Sequence, residues 1–139
     1  MKIENYEVPE GLYYSKDHEW LKIESDVCRM GVTDYAQKSL HEVVFVDLPK
    51  CDINVTSKQP LGTVESVKAV SDYFAPIGGK IIEVNDVLSN KPDLINTSPY
   101  NDGWIAIIKP ENLEEIKELM NSTKYVELLK SIIKNKFIF

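Results

Sequence analysis

Short runs in which apolar and polar residues alternate recur along the chain up to residue 110. Alternation with a period of two predicts strands that bury one face, and β-branched residues are frequent in these runs. Proline, glycine, serine or asparagine residues end most of the runs and predict the turns between them. The predicted strands cover residues 19–24, 27–32, 43–48, two arms within 61–72, 80–85, and a central strand at 104–109.

The segments between these strands carry weaker signals. A short helix is predicted over residues 35–40, capped by Thr33 or Asp34, with Gln37 three residues after Asp34 as in a capping box. Residues 1–12 are predicted to be an extended lead-in, residues 50–59 to be irregular, and residues 86–103 to be mostly loop.

After residue 110 the hydrophobic period changes to that of a helix. Two stripes are predicted. The first places Leu113, Ile116 and Leu119 or Met120 on one helical face, and the second, which is predicted to pack as core, comprises Tyr125, Leu128, Leu129, Ile132 and Ile133. The last four residues, Lys-Phe-Ile-Phe at 136–139, are unusually apolar for a terminus and either pack back or fray. Strands followed by helices predict a mainly β fold with C-terminal α-helices at about 111–134. An antiparallel sandwich or flattened barrel is expected, in one domain of residues 1–139.

Composition restricts the classes of protein that the chain can belong to. The 139 residues carry a net charge of −6, which argues against nucleic acid and anionic membranes as partners. No apolar run is long enough to span a membrane, and the N-terminus lacks a signal or transit pattern. A soluble, cytoplasmic protein is expected, or one of the mitochondrial matrix if a transit peptide was removed. Cys28 and Cys51 are expected to be buried, reduced thiols.

A single lysine stands at the midpoint of residues 61–72. Lys68 is flanked by the small apolar residues Val67 and Ala69, with strand-like arms on both sides. If the arms pair, Lys68 projects into solvent where the chain folds over and is open to a modifying enzyme. No Asn-Gly or Gly-Gly pair marks the bend, so an ordinary strand lysine is the alternative from the pattern alone.

The residues themselves form no convincing active site or metal site. His18 and His41 lie far apart and have no partner at helical spacing, so no metal ligands are predicted. No glycine-rich phosphate loop is present, and Ser66 and Ser71 have no visible base. The chain is therefore predicted to carry a substrate and to contribute no catalytic residue.

Five blocks in order resemble the H protein of the glycine cleavage system, over roughly residues 10–130. Residues 65–72, Glu-Ser-Val-Lys-Ala-Val-Ser-Asp, resemble its lipoylation motif. The other blocks are residues 14–20, 31–37, 44–49 and 99–104. The resemblance implies the lipoyl-domain hybrid of barrel and sandwich, with a lipoyl-lysine at a hairpin tip.

For Lys68 the resemblance implies an amide between the ε-nitrogen and lipoate, made by a lipoate ligase or lipoyl transferase. In that family the lipoyl group receives the aminomethyl group left when the P protein decarboxylates glycine. The T protein then releases ammonia, and the L protein (dihydrolipoamide dehydrogenase) reoxidises the dithiol. The resemblance therefore implies a carrier and not an enzyme, with lipoate as cofactor and these proteins as partners.

Four further residues receive roles from the same resemblance. Glu19 and Asp72 match carboxylates beside the cleft that receives the loaded arm, and His18 adjoins Glu19 in the same block. A carboxylate there could hold the carried amine protonated and so slow its loss. The alternative is that both are ordinary exposed acids. Glu65, three residues before Lys68, is expected to help the lipoylating enzyme recognise the hairpin.

The chain departs from the family pattern beside these blocks. Ser57 stands where a glycine is usual, His41 replaces a glycine after the predicted helix, and Cys51 and Asp52 replace a glycine-containing turn. If the backbone at Ser57 needs a positive φ, serine costs about 1 kcal/mol there. Residues 75–80 also depart from the usual sequence. These positions concern loops beside the arm and hence partner surfaces.

Three other functions remain open from the sequence. A lipoyl-relay protein that passes lipoate to 2-oxoacid dehydrogenase subunits would use the same Lys68. A biotin carrier domain shares the hairpin fold, but its lysine is usually flanked by methionine, whereas Val67 and Ala69 stand here. An unmodified binding module is the last alternative, and the intact motif around Lys68 argues against it.

Overall fold

The computed structural model describes residues 1–136, so the prediction for the apolar C-terminal end lies outside the described residues. Eleven strands are present in that part: β1 Lys2–Ile3, β2 Tyr6–Glu7, β3 Tyr13–Tyr14, β4 Glu19–Glu24, β5 Val27–Val32, β6 Val43–Val46, β7 Asn54–Val55, β8 Pro60–Ser66, β9 Val70–Phe74, β10 Gly79–Val84 and β11 Ala106–Pro110. The α-helices are α1 Asp34–Leu40, α2 Leu94–Thr97 and α3 Ser122–Lys136, and 3₁₀ helices cover Asp86–Ser89 and Leu113–Glu118. None of these helices is both long and apolar enough to cross a membrane.

Two antiparallel sheets make up most of the protein. The larger has the strand order β3-β4-β5-β11-β10-β7, and the smaller has the order β6-β8-β9. The predicted central strand is confirmed, because β11 lies between β5 and β10 and its residues Ala106, Ile107 and Ile108 are all buried. A strand buried on both faces is a continuous apolar run, which is the pattern at this position. The predicted mainly antiparallel β fold is thus confirmed.

Two clusters of buried side chains pack these layers. The larger draws on both sheets and includes Leu21, Met30, Val64, Tyr73 and Ile108. The smaller lies under α3 and comprises Ile3, Val8, Tyr14, Trp20, Tyr125, Val126 and Leu129. The second predicted stripe is therefore confirmed as packed core, and it covers the N-terminal strands as well as β3 and β4.

The first C-terminal helix is not α-helical, contrary to the prediction. Residues Leu113–Glu118 form a 3₁₀ helix in which Ile116 is buried but Leu113 is 66% exposed. Met120 leaves the helical path, and its backbone exchanges hydrogen bonds with Tyr14. A segment tied to a strand edge so soon after its start cannot complete the turns that would align the predicted stripe.

Several shorter predictions also need correction. The lead-in contains the hairpin β1–β2, and residues 50–59 contain β7, both too short to show a period. The α1 helix is capped by the Thr33 side chain, which accepts from the Ala36 amide, so Asp34 is not the cap and Gln37 forms no capping box. Cys28 is buried as predicted, but Cys51 lies exposed in a turn.

The backbone at Ser57 does not have the positive φ on which a cost of the serine would depend, and that conformation is found at the neighbouring residue. Lys58 has φ 71°, and Ser57 is not among the positive-φ residues. The other two departures do fall on left-handed backbone, with φ 66° at His41 and φ 64° at Asp52. His41 also has ψ −145°, a combination that side chains rarely adopt. Backbone strain from residues that replace a glycine is thus found at His41, where α1 ends, and at Asp52, before β7.

Replacing His41 by glycine should stabilise the protein. The exposed ring adds little packing, so relief of the backbone conformation should raise the free energy of unfolding by about 1 kcal/mol. Urea denaturation measures the difference. His41→Ala keeps the Cβ and is the control, expected to give no comparable gain. An equal gain from both variants would assign the effect to the ring.

Replacing Leu129 by alanine should destabilise the protein by roughly 2–4 kcal/mol, because this side chain of α3 is fully buried in the smaller cluster. Leu113→Ala provides a matched control on the exposed 3₁₀ helix and should change the free energy of unfolding by less than about 0.5 kcal/mol. Urea denaturation of both variants gives the comparison. Similar small effects would mean that α3 does not hold the core.

Candidate functional site

Lys68 lies in the turn that joins β8 to β9. The two strands pair from Pro60 with Phe74 to Glu65 with Val70, which leaves residues 66–69 to reverse the chain. The Ser66 amide donates to the Ala69 carbonyl at 2.8 Å and closes the turn. Lys68 is exposed, and no ion pair within the described part of the chain involves it. The amine therefore stands at the hairpin tip, as the two arms predicted.

The buried side chain of Ser66 organises this turn. Its Oγ accepts from the amides of Lys68 at 3.1 Å and Ala69 at 3.0 Å. A serine hydroxyl that bonds to amides two and three residues later mimics a backbone turn, which explains why no glycine is needed. In the sequence Ser66 was considered only as a nucleophile. Its position before the bend is the signal that could have identified it.

A second connection ties the tip to the rest of the sheet. The amide of Val67 donates to the Glu42 carbonyl at 3.0 Å, just before β6. The residues on both sides of Lys68 are thus fixed by hydrogen bonds while its side chain is left in solvent. This arrangement presents an exposed amine on a hydrogen-bonded turn.

A cleft of about 170 Å³ lies beside β9, the strand that leaves the tip. It brings together three of the residues predicted to contact the arm, His18, Glu19 and Asp72. Sequence reasoning did not identify its third carboxyl group, Asp17, or the α1 side chains that line it. The remaining lining is largely apolar: Val32, Tyr35, Ala36, Ser39, Leu40, Val64, Ser71 and Tyr73.

Glu19 occupies the buried end of this group. It is only 1% exposed, so the alternative of an ordinary surface acid is wrong for this residue. Its carboxyl accepts from Ser15 Oγ through Oε1 and from the Phe74 amide, at 3.2 Å, through Oε2. Ser15 follows β3 and Phe74 ends β9, so the side chain bridges the two sheets.

Burial changes the acidity of this carboxyl. Desolvation raises the pKa of Glu19 from 4.5 to about 7, and the hydrogen bonds from Ser15 and Phe74 oppose the rise without cancelling it. A carboxyl with such a pKa exchanges its proton near neutral pH. A cation placed against it would favour the ionised form.

His18 is positioned by the C-terminal helix. Its Nδ1 lies 2.8 Å from the Tyr125 Oη on α3, and that oxygen also lies 2.8 Å from Thr33 Oγ1. Burial lowers the pKa of the imidazole, although Asp17 opposes this effect. His18 is therefore uncharged at neutral pH and does not cancel the negative charge of the cleft.

Asp72 and Glu65 lie at different places on the hairpin. Asp72 is exposed at the cleft, on β9 opposite Thr63. Glu65 does not line the cleft; it is exposed on β8 and pairs with Phe45 on one side and Val70 on the other. The structure thus separates the acids assigned to the arm from the acid assigned to recognition of the hairpin.

Comparisons with known proteins agree with this geometry. The family model described as glycine cleavage H-protein matches residues 12–132. A probable glycine cleavage system H protein of Pyrococcus abyssi is 50% identical over 134 residues, which cover 95% of this chain and 99% of the relative. A glycine cleavage system H protein of a Geobacillus strain is 43% identical over 122 residues, which cover 88% and 96% of the two chains.

A solved structure is also similar. The crystal structure of a glycine cleavage system H protein from Mycobacterium marinum superposes with a TM-score of 0.82 at 34% identity, covering 88% of this chain and 99% of that one. The match of the family model over most of the sequence, together with these relatives, shows that the chain belongs to the glycine cleavage H-protein family.

Proposed function

We propose that this chain is the lipoyl carrier of the glycine cleavage system and that lipoate is attached to Lys68. The observation that supports this most directly is the exposed Lys68 amine at a fixed hairpin tip, beside an acidic cleft, in a member of this family. Family membership also removes the biotin-carrier alternative.

The residues present fit a lipoyl group. An exposed primary amine can form the amide, and the cleft offers an apolar lining with carboxyl groups at its polar end. When bound, the lipoyl group supplies a disulfide that can be reduced and can accept a group from another protein. Tethering keeps it at high local concentration at this surface.

The chain itself provides the environment for a cationic cargo. Asp17, Glu19 and Asp72 place carboxyl groups at one cleft, where His18 is uncharged. A protonated amine there would receive charge-assisted hydrogen bonds, worth about 1.5–3 kcal/mol each. An amine kept protonated has no free lone pair with which to expel a thiolate. The cleft is therefore suited to slow the loss of an aminomethyl cargo.

The proposed partners follow from this role. The P protein would load the carrier, the T protein would unload it, and the L protein would restore the disulfide. Each must reach the end of the same lipoyl arm, so the carrier meets them one at a time. The net charge of −6 suits partners that present basic surfaces.

Lys68→Arg should fold normally and accept no lipoate. Arginine keeps the positive charge, but its guanidinium is not acylated by a lipoate ligase. Intact mass after incubation with ligase, lipoate and ATP gives the result, and peptide mapping locates the group. Lys80→Arg, at another exposed position, is the matched control and should be modified like wild type. A lipoyl group at Lys58 or Lys80 would overturn the assignment.

Glu19→Gln should leave lipoylation and reoxidation by the L protein intact but speed the spontaneous release of formaldehyde and ammonia from the loaded carrier. Glutamine keeps the shape and loses the charge, so one charge-assisted bond disappears. The release rate should rise about ten-fold or more. Wild type and variant are loaded with glycine and P protein, and decay is followed without T protein. Glu83→Gln, on an exposed strand position, should decay like wild type. Equal rates for Glu19→Gln would exclude the protective role.

The same variant reports the protonation state of Glu19. The pKa of about 7 in the folded state lies above that of an unfolded carboxyl. The free energy of unfolding of wild type therefore falls as pH rises from about 4.5 to 7. The stability of Glu19→Gln relative to wild type should therefore be greater at pH 8 than at pH 4. Urea denaturation at the two pH values measures this difference. A pH-independent difference would mean that burial does not raise the pKa of this carboxyl above its unfolded value.

A further inference from the structure

An exposed row of side chains crosses the three-stranded sheet just below the hairpin tip. Phe45 on β6 pairs with Glu65 on β8, and Glu65 pairs with Val70 on β9. Residues directly opposite each other in antiparallel strands lie on the same face, so these three form a continuous outer row. A bulge in β6 accompanies it, because the register shifts between Val43 and Phe45.

The outer row is unusually apolar for an exposed face of a sheet. Phe45 is 51% exposed and Val70 is 62% exposed, and Val67 beside the lysine is 67% exposed. The sheet buries its other face through Val46, Val64 and Tyr73, so these side chains do not serve the core. Exposed apolar groups that meet around one charged residue are typical of a protein–protein contact.

We propose that the outer row, Phe45, Glu65 and Val70, is the docking surface for the enzyme that attaches lipoate to Lys68. The inference rests on the proposed function, since it names a partner for the same lysine. An enzyme that acylates the unmodified amine must bring its active site to the end of a single lysine side chain. It therefore covers the tip, and Glu65 and Val70 of the row directly precede and follow the turn of residues 66–69.

The closeness of the row to Lys68 favours the enzyme that attaches lipoate over the partners that act on the finished lipoyl arm. After acylation the reactive end stands beyond the lysine by the length of the lipoyl chain. Those partners can reach it without contacting the tip. The cleft beside β9, and not the outer row, is where the cargo end is expected.

Charge gives an independent reason for this choice of partner. Exposed acids surround the row, in addition to Glu65 within it: Glu42 and Asp47 flank β6, and Asp72 lies on β9. An enzyme that holds an acyl adenylate must balance its phosphate with cationic side chains. The rim of such a site is complementary to an apolar row set among carboxylates.

The reaction served by this docking conserves atoms and charge. Lys68 Nζ, in its uncharged form, attacks the acyl carbon of lipoyl adenylate, which the enzyme makes from lipoate and ATP. A carbon–nitrogen bond forms and the bond from that carbon to the phosphate oxygen breaks. AMP leaves with the electron pair, and the nitrogen gives its extra proton to solvent. The outer row takes no part in these steps.

The test compares lipoylation of the unmodified chain in two variants. Val70→Thr keeps the shape of the side chain, and Phe45→Thr places a residue of high β-propensity on β6, so both should fold. Each should raise the KM for the carrier about ten-fold, with kcat unchanged, because only docking is lost. Ile82→Thr removes an apolar side chain that is 40% exposed on the larger sheet, and it should behave as wild type.

Binding supplies a readout that does not depend on the reaction. Calorimetry of the unmodified chain with ligase loaded with a non-transferable lipoyl-adenylate analogue should show the same loss of affinity for the two row variants. Unchanged KM and affinity, with wild type modified at Lys68, would overturn the docking surface and leave the proposed function intact. No modification of wild type would overturn the proposed function, and this inference with it.

Discussion

Desolvation of the Glu19 carboxyl is the constraint on which the geometry around the hairpin depends. A carboxyl removed from water needs hydrogen bonds from the protein, and Ser15 and the Phe74 amide supply them. These donors belong to different parts of the fold, since Ser15 follows β3 and Phe74 ends β9. One side chain thus fixes the strand that leaves the tip against the larger sheet, while its raised pKa keeps the proton available near neutral pH.

The C-terminal helix α3 also packs against the residues around the cleft. Tyr125 stacks on Tyr14 with ring centroids 4.5 Å apart, and its hydroxyl reaches His18 at the cleft. Burial raises the pKa of Tyr125, so this hydroxyl keeps its proton as a hydrogen-bond donor. A residue that looks like ordinary core in the sequence therefore also orients a polar group of the cleft.

Much of the fold follows from periodicity, because β4, β5, β10 and β11 each repeat the alternation or apolar run of a strand. The two-residue strands and the 3₁₀ helix do not, since pairing with a neighbour and not the local pattern determines them. Lys68 and its turn could be located from the paired arms. The burial of Glu19 could not, because only the assembled sheets exclude water from it. That His18, Glu19 and Asp72 lie at one cleft was predicted from the family resemblance and not from their spacing in the sequence.

The hairpin tip owes its shape to residues that are distant in the chain. Val67 is bonded to Glu42, and Glu65 is paired with Phe45, so the surface around Lys68 is assembled only when β6 joins β8. An isolated two-stranded segment would lack that third strand and would be at best marginally stable. Attachment of lipoate would then discriminate against unfolded or truncated chains. Only chains in which β6 has paired with β8 would then become lipoylated carriers.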